Sequence, residues 1–307
     1  MALPTLYNQI DENKNKTWIL IACFVALITF MIYVFSASRG IDGVGALGLV
    51  GISLIITGLI SLGSYYWSDK MVLSISGAKE ISSSDNPDLY HLVENLCIGA
   101  GIPVPKIYTI DDSSPNAFAT GRDPKHASIA FTTGIIEKLE RAELEGVAAH
   151  ELSHVKNYDT LYTTIVVILV GMVALMADIF MRSLWYGGKG RRDDNSSAGS
   201  GGGALILIGI VFAILSPLIA NLIKFAVSRQ REYLADASAG LLTRNPDALA
   251  SALIKISEDK DPLEVANKAT AHLYIVNPLK DWTGKLNNYF QTHPPTEDRV
   301  ARLRGLK

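Results

Sequence analysis

Four long apolar segments constrain what this chain can fold into. They run from Trp18 to Phe35, from Val44 to Trp67, from Leu161 to Ala177 and from Ala204 to Ile223. A helix needs about 20 apolar residues to cross the hydrocarbon core of a bilayer, so the sequence predicts four transmembrane helices. The third segment is marginal because Asp178 follows it, and Pro217 should kink the fourth.

Two other interpretations of these segments remain open. A buried core helix of a soluble protein passes the same length test, and this alternative fits the last two segments better than the first two. For the first segment, Ser36-Ala37-Ser38 resembles the cleavage site of a signal peptide. The residues before that segment, however, carry Asp11, Glu12, Lys14 and Lys16 and thus no net positive charge, which disfavours cleavage.

The apolar segments divide the chain into four parts. Residues 1–67 contain the N-terminal tail and two spans, and residues 68–160 form a first polar half. Residues 161–227 contain two further spans, and residues 228–307 form a second polar half. Within the third part, segment 187–203 is rich in Gly and Ser and is predicted to be a flexible connector. We expect the two polar halves to fold together into one domain, because neither shows a complete fold signature alone.

An even number of spans places both termini and both polar halves on one side of the membrane. Basic residues near the span ends are more numerous on that side than on the other. By the positive-inside rule, the polar halves are then cytoplasmic and the chain is a multi-pass protein of the cell (inner) membrane. The 28 basic and 30 acidic residues give a net charge of −2, so the composition does not indicate binding to nucleic acid.

Within the polar halves, the sequence predicts a mostly helical α+β domain with a small β-sheet. Two helices are predicted, one from Asp85 to before Gly101 and one from Arg141 to about Asn157. Three strands are predicted at Lys106–Ile110, Ala117–Thr120 and Ser128–Thr132. Further helices are predicted at Ser228–Leu242, after Asn245-Pro246 and from Thr296.

The strongest local signal is the H-E-x-x-H motif formed by residues His150 to His154. Residues at i and i+4 share a helix face about 6 Å apart, so the two imidazoles can bind one metal ion. The glutamate after the first histidine, Glu151, then lies where it can accept a proton from water. The motif therefore predicts a zinc site with Glu151 as general base.

A catalytic zinc ion usually takes a third protein ligand and keeps one open position. The remaining histidines are His91, His126, His272 and His293, and the first three lack a motif context and are expected to be structural. Glu232 and Asp236 share a helix face, so that one carboxylate could bind zinc and the other could orient a ligand histidine. The alternative is that both pair with nearby arginines on a solvated face, and spacing alone does not decide.

Several segments together resemble the HtpX-type integral-membrane zinc metalloproteases. They are the first two apolar segments, residues 114–119 (SPNAFA), 150–154 (HELSH), 228–236 (SRQREYLAD) and 293–299 (HPPTEDR). The resemblance covers nearly the whole chain apart from segment 187–203. It implies a thermolysin-like (gluzincin) domain, one Zn²⁺ per chain held by His150, His154 and Glu232, Glu151 as catalytic base and Asp236 as partner of a ligand histidine.

The resemblance also implies where substrate binds. Asn116 and Ala117 would belong to an edge strand that pairs with an extended peptide; the alternative for Asn116 is a turn residue after Pro115. His293, Arg299 and Tyr233 are candidates for donating a hydrogen bond to the oxyanion. For His293 and Arg299 a structural role is the alternative, with Arg299 closing a salt bridge.

We therefore expect a membrane-bound, zinc-dependent endopeptidase that acts on polypeptides, among them membrane proteins, because the third apolar segment follows the motif helix closely. The resemblance implies quality control of misfolded or damaged membrane proteins as part of a stress response. Three alternatives remain: a CAAX-type protease for lipid-modified peptides, a non-enzymatic scaffold with structural zinc, and a small-solute transporter. The prediction of four spans disfavours a CAAX-type protease, and the presence of Glu151 disfavours a scaffold with structural zinc. The small number of charged residues within the spans disfavours a transporter. The sequence leaves the oligomeric state open.

Overall fold

A computed structural model describes residues 6–38, 41, 43–169, 171–172, 229–259, 261, 263, 273–276 and 294–305. The predicted fourth span, the connector 187–203 and the end of the predicted third span lie outside these residues, as do His272 and His293.

The chain forms a helical protein with one small sheet. Its helices are α1 (Leu6–Ser38), α2 (Val44–Ile75), α3 (Pro87–Ala100), α4 (Thr133–Lys138), α5 (Arg141–Lys156), α6 (Asp159–Leu169), α7 (Arg229–Thr243), α8 (Pro246–Glu258) and α9 (Thr296–Arg304). Its strands are β1 (Lys79–Ile81), β2 (Lys106–Ile110), β3 (Ala117–Gly121) and β4 (Ala127–Thr132). The predicted strands and the predicted helices of the two polar halves are confirmed to within two residues at each end, while β1 and α4 were not predicted.

One helix boundary differs from the prediction for a clear physical reason. The N-cap of α3 is Asn86, whose side chain accepts a hydrogen bond from the backbone N–H of Leu89, and Pro87 is the first helical residue. Asp85 instead accepts hydrogen bonds from the backbone and the hydroxyl of Ser82, so it closes the preceding turn. The helix therefore begins after Asp85.

The sheet is mixed and has the order β1-β2-β4-β3. β2 and β4 pair in parallel, with Ile107 opposite Ile129, while β1 and β3 join antiparallel at the two edges. β3 is thus an edge strand, and β3 and α5 lie against each other. This arrangement places the outer edge of the sheet beside the H-E-x-x-H helix.

Helix α2 has the polarity expected of a helix in lipid. Its buried face carries small polar residues, namely Ser53, Thr57, Ser61, Ser64 and Ser68. Its exposed face carries large apolar side chains, namely Ile52, Ile55, Leu59 and Leu62. Small residues on the buried face favour close helix packing within a membrane. Large apolar residues on the exposed face are favourable in lipid and would be unfavourable in water.

Among the described residues, α2 is also the one helix that meets the length and hydropathy of a membrane span. Its most apolar 18-residue window has a mean hydropathy of 2.2 and is only 22% buried, which argues against the core helix of a soluble protein. The predicted first span lies within α1, where Phe24 and Ile28 pack against Leu161 and Ile165 of α6. Spanning by α1 and by the segment that begins with α6 stays a prediction.

The core of the polar domain forms around α5, which contacts α3, α7, α8 and β3. Its Val147, Ala148 and Leu152 are buried among residues of these elements. At Gly146 the helix touches the backbone of Leu249 in α8, and a Cβ there would lie 3.1 Å from that residue. Close packing on all sides makes α5 a rigid support for the residues of the motif.

The N-terminus of α5 is tied to α8 through one buried carboxylate. Glu143 accepts hydrogen bonds from its own helix cap at Glu140 N (2.8 Å), from the Ser251 hydroxyl (2.6 Å) and from the Lys255 ammonium (2.7 Å). Burial opposes ionisation, but these hydrogen bonds outweigh it and hold the pKa of Glu143 below its ordinary value of 4.5.

Replacing Glu143 with alanine should therefore lower the free energy of unfolding by about 2 kcal/mol, because buried hydrogen bonds to a charged group are lost. Since the pKa is lower in the folded chain, this stabilisation is complete above the unfolded-state value of 4.5 and is lost as the pH falls through the folded-state value. Thermal unfolding in detergent, followed by circular dichroism at pH 7 and at lower pH, measures both effects.

Glu145→Ala on the same helix is the matched control. No hydrogen bond or ion pair of the Glu145 side chain is recorded within the described part of the chain, so its replacement should leave the unfolding temperature nearly unchanged. A Glu143→Ala protein as stable as this control would show that the carboxylate does not hold α5 to α8.

Candidate active site

The residues of the H-E-x-x-H motif lie on α5 between β3 and α7. His150 is 1% exposed and Glu151 3%, whereas the His154 side chain is 15% exposed. Helix α7 approaches α5 from the opposite side and brings Glu232 against both histidines. The site is therefore deeply buried, and its most accessible ligand group is the ring of His154.

Three side chains converge on one point. The Nε2 atoms of His150 and His154 are 3.2 Å apart, and the Glu232 oxygens lie 3.7 Å from the first and 3.5 Å from the second. Tetrahedral zinc with bonds of about 2.0–2.1 Å places its ligand atoms about 3.3 Å from one another. The observed separations fit that value, so these three groups could hold a zinc ion.

The ring of His150 is fixed by Asp236, one helical turn beyond Glu232. Its Nδ1 lies 3.0 Å from the carboxylate of Asp236, which in turn accepts two hydrogen bonds from Arg299, at 2.9 Å from Nε and 2.7 Å from a terminal nitrogen. Burial opposes ionisation of Asp236, but the charge of Arg299 outweighs it and lowers the pKa of Asp236 to about 2. The predicted partnership of Asp236 with a motif histidine thus has the expected geometry.

The ring of His154 is fixed by a residue that the sequence did not suggest. Its Nδ1 lies 3.0 Å from Asp159, the first residue of α6. Asp159 can fold back because Tyr158 adopts a left-handed conformation (φ 60°) that ends α5 and redirects the chain. Asn13 of α1 then donates to Asp159 (2.8 Å), and Arg231 donates to Asn13 (2.9 Å).

These partners determine where the histidine lone pairs point. An ionised aspartate only accepts hydrogen bonds, so each Nδ1 carries a proton when its ring is neutral, and each Nε2 presents a lone pair to the common point. Two lone pairs and the Glu232 carboxylate then face one another, an arrangement that is favourable only around a cation. Burial opposes protonation of His154, but Asp159 and Glu232 outweigh it and raise its pKa to about 9, as expected of a point that attracts positive charge.

Glu151 lies beside these ligand groups but makes a separate contact. Its carboxylate lies near the backbone N–H of Ala119 in β3. Burial raises the pKa of Glu151 to about 8. The side chain thus lies at the edge of the sheet and can both accept and hold a proton near neutral pH.

The residues predicted to bind substrate are engaged by the chain itself. The Asn116 side chain donates to the carbonyl of Val276 (3.0 Å), and the Ala117 carbonyl accepts from the N–H of Ile275 (3.1 Å). A peptide could pair with these two groups only if segment 273–276 moved. In the described structure, Asn116 and Ala117 therefore hold this segment against the edge of β3.

Of the predicted oxyanion donors, Arg299 lies at the site: one terminal nitrogen is 3.4 Å from the ring of His150, and the other is 3.9 Å from Glu232. Arg299 is fully buried in its ion pair with Asp236, which is the salt-bridge alternative. The ring of Tyr233 packs under Arg302 of α9 at 3.8 Å, because adjacent helical residues point about 100° apart and Glu232 already faces the histidines. His293 lies outside the described residues. The exposed side chains of His91 and His126 pair with Glu94 and Asp123, as expected of structural histidines.

The site combines two histidines on one helix, a carboxylate from a second helix and a buried glutamate beside them. This combination suits a metal-dependent hydrolase of peptide bonds. Comparison with known proteins agrees with this class. Residues 83–307 match the model of peptidase family M48, and the chain belongs to this family.

The relatives cover the whole length of the chain. It is 45% identical over 302 residues to a protease HtpX homolog from Dictyoglomus thermophilum, covering 98% of this chain and 95% of that protein. It is 44% identical to one from Lactobacillus acidophilus (98% and 100% covered) and 42% identical to one from Thermoanaerobacter pseudethanolicus (100% and 99% covered). Together with the family, these relatives make the chain a membrane-bound zinc metalloprotease.

A solved structure shares the fold. The crystal structure of S. mikatae Ste24p superimposes with a TM-score of 0.50 at 18% sequence identity, covering 97% of this chain and 67% of that chain. The arrangement of helices and sheet is therefore similar to that of a known protein, while the identity is too low for the likeness to say more than that.

The contact between Asp159 and His154 generates a prediction. Replacing Asp159 with asparagine keeps the shape of the side chain but removes the charge that orients the ring and favours its role as a ligand. Loss of such an outer partner typically weakens metal binding about 10–100-fold. Competition with a chromophoric chelator should show a fall of this size in the zinc affinity of the purified protein.

Asp123→Asn is the matched control, because Asp123 pairs in the same way with the exposed His126 at 2.8 Å, in the turn before β4. This variant should bind zinc as the unchanged protein does. Equal zinc affinity in the Asp159 and Asp123 variants would mean that Asp159 has no role in the metal site.

Proposed function

We propose that this protein is a zinc-dependent endopeptidase in which His150, His154 and Glu232 hold the metal and Glu151 is the catalytic base. The observation that carries the proposal is the set of separations of 3.2, 3.5 and 3.7 Å among the three ligand groups. The hydrogen bonds that the two histidines donate to Asp236 and Asp159 support it, because they turn both Nε2 atoms toward Glu232.

Zinc, when bound, supplies the Lewis acidity that activates water and polarises the scissile carbonyl. Glu151 takes a proton from the attacking water and later delivers it to the leaving amine. The nearby N–H of Ala119 leaves the carboxylate further acceptor capacity for water, since a carboxylate has about four acceptor sites. A pKa raised by burial suits a group that must gain a proton and then return it.

The edge of β3 provides a place for the substrate backbone. Ala119 lies on this edge and touches Glu151 through its N–H. We infer that a substrate peptide runs along β3 near Ala119 as an added strand. Binding that extends to Ala117 and Asn116 would displace segment 273–276 from its hydrogen bonds to them.

The proposed setting is a multi-pass protein of the cell membrane with its catalytic domain in the cytoplasm. Only two residues, Asn157 and Tyr158, separate α5 from α6, which begins the third apolar segment. The site thus lies within a few residues of a predicted span, which favours membrane proteins as substrates. The quality-control role is proposed on this basis and on the resemblance to HtpX-type proteases.

The role of Glu151 can be tested by its replacement with glutamine. This variant should bind one zinc ion per chain as the unchanged protein does, because the three ligands remain. Its turnover of an unfolded polypeptide should fall about 10²–10⁴-fold, the range for loss of a general base. Zinc content by elemental analysis and cleavage of casein by detergent-purified protein measure the two quantities.

Glu145→Gln, on the same helix, should retain both zinc and turnover. Glu151→Gln with unchanged turnover would exclude Glu151 as the base. If neither the unchanged protein nor Glu151→Gln cleaved casein while both bound zinc, general endopeptidase activity would be excluded.

The third ligand has its own test. Glu232→Gln should lower the zinc affinity by more than about 100-fold, beyond the range for an outer partner, because a charged ligand is replaced by a weak neutral one. The chelator competition used for Asp159→Asn gives the comparison directly. Zinc affinity that survives this change would remove Glu232 from the ligand set and leave the third position to a residue outside the described part.

A further inference from the structure

The end of the apolar part of α2 can be placed relative to the bilayer. Residues Val44 to Trp67 form 24 helical residues, which span about 36 Å at 1.5 Å per residue. This exceeds the hydrocarbon core of about 30 Å, so the aromatic residues Tyr66 and Trp67 lie at the boundary. Lys70, about 4.5 Å further along the axis, lies in the headgroup layer, which is about 5–7 Å thick on each side.

A cavity of about 460 Å³ opens at this level, between α2, the strands β2 and β4, and the turn that joins β3 to β4. Its lining combines aromatic and basic side chains, namely Tyr66, Trp67, Lys70, Lys106, Arg122 and Lys125. We refer to it as the interfacial pocket. It is separate from the cluster of His150, His154 and Glu232, none of which lines it.

Two of the four permanent cations in the interfacial pocket already have partners. Lys106 pairs with Glu80 at 2.9 Å, and Arg122 lies 3.6 Å from Asp123. Lys70 and Lys125 are exposed, and no ion pair of either is recorded within the described residues. One acidic residue, Asp69, also lines the pocket.

The pocket is built on a fixed contact between the membrane helix and the polar domain. Arg122 donates a hydrogen bond to the backbone carbonyl of Tyr66 (3.3 Å), and its guanidinium lies 5.2 Å from the centre of the Tyr66 ring. Asp123 caps the next turn by accepting from the N–H groups of Lys125 and His126. The turn that carries Lys125 is therefore held against α2 beside Lys70.

We propose that the interfacial pocket binds the phosphate of an anionic phospholipid headgroup. Two lysines at headgroup depth offer donors and positive charge to a phosphate, and basic pockets of this kind beside transmembrane helices bind anionic lipids. The exposed apolar face of α2, which includes Leu59 and Leu62, continues from the pocket into the core and receives the acyl chains. A soluble phosphate would share the headgroup chemistry but would make no use of this apolar face.

The test uses the full chain in detergent with Trp67 as the reporter. Trp18, Trp185 and Trp282 are replaced by phenylalanine, so that fluorescence comes from Trp67 alone. Phosphatidylglycerol or phosphatidylcholine with brominated acyl chains is then titrated, because bromine quenches tryptophan on contact. Phosphatidylglycerol should quench at a lower mole fraction, and Lys70→Gln or Lys125→Gln should each raise the half-quenching fraction about fivefold, the effect of one lysine near an anionic surface.

Lys79→Gln is the matched control, since Lys79 is an exposed lysine of β1 that does not line the interfacial pocket. It should leave the preference for phosphatidylglycerol unchanged, and zinc content verifies that each variant is folded. Equal quenching by the two lipids, or an equal preference in the Lys70, Lys125 and Lys79 variants, would overturn the proposal. Complete reversal of the phosphatidylglycerol preference by millimolar inorganic phosphate would assign the pocket to a soluble phosphate and overturn the lipid source.

Discussion

The geometry of the site depends on two buried hydrogen bonds, each donated by the Nδ1–H of one histidine ring to an aspartate. Asp236 holds His150 and Asp159 holds His154, both at 3.0 Å. These contacts turn two nitrogen lone pairs toward the carboxylate of Glu232 in a region that excludes water. A cation at that point relieves the repulsion, so metal binding and the packing of α5 against α7 stabilise one another.

Each aspartate is in turn held by a different part of the chain. Asp236 accepts hydrogen bonds from Arg299 of α9, near the C-terminus, whereas Asp159 accepts one from Asn13 of α1, near the N-terminus. The Asn13 side chain is buried and also accepts from Arg231, which precedes Glu232 on α7. The metal site therefore couples the two ends of the chain, and its geometry requires that the helix of the predicted first span be docked against the catalytic domain.

The sequence predicts the parts of this site that depend on local spacing. His150, Glu151 and His154 follow from one helical motif. The i, i+4 relation on α7 places Glu232 and Asp236 on one helix face, but their roles as ligand and as histidine partner were implied only by the resemblance to HtpX-type proteases. Asp159 could not be found in this way, because a continuous helix would turn it away from His154 and only the left-handed Tyr158 brings it back. For Arg299 the sequence allowed two roles, an oxyanion donor or a structural salt bridge. Its ion pair with Asp236 depends on how α9 packs against α7, which the sequence does not specify. Likewise β1 is only three residues long and exists through its pairing with β2.

Access to the cluster follows from which of its faces are covered. Asn116 and Ala117 bond to segment 273–276, and Arg299 fills the space behind His150. The His154 side chain retains 15% exposure, against 1% for His150 and 5% for Glu232. His154 is also one turn closer than His150 to the start of α6, the helix that begins the predicted third span. Among the described residues, the less covered side of the cluster therefore lies toward the end of α5 that continues into α6, whereas the side at the edge of β3 is covered by segment 273–276, which pairs with Ala117.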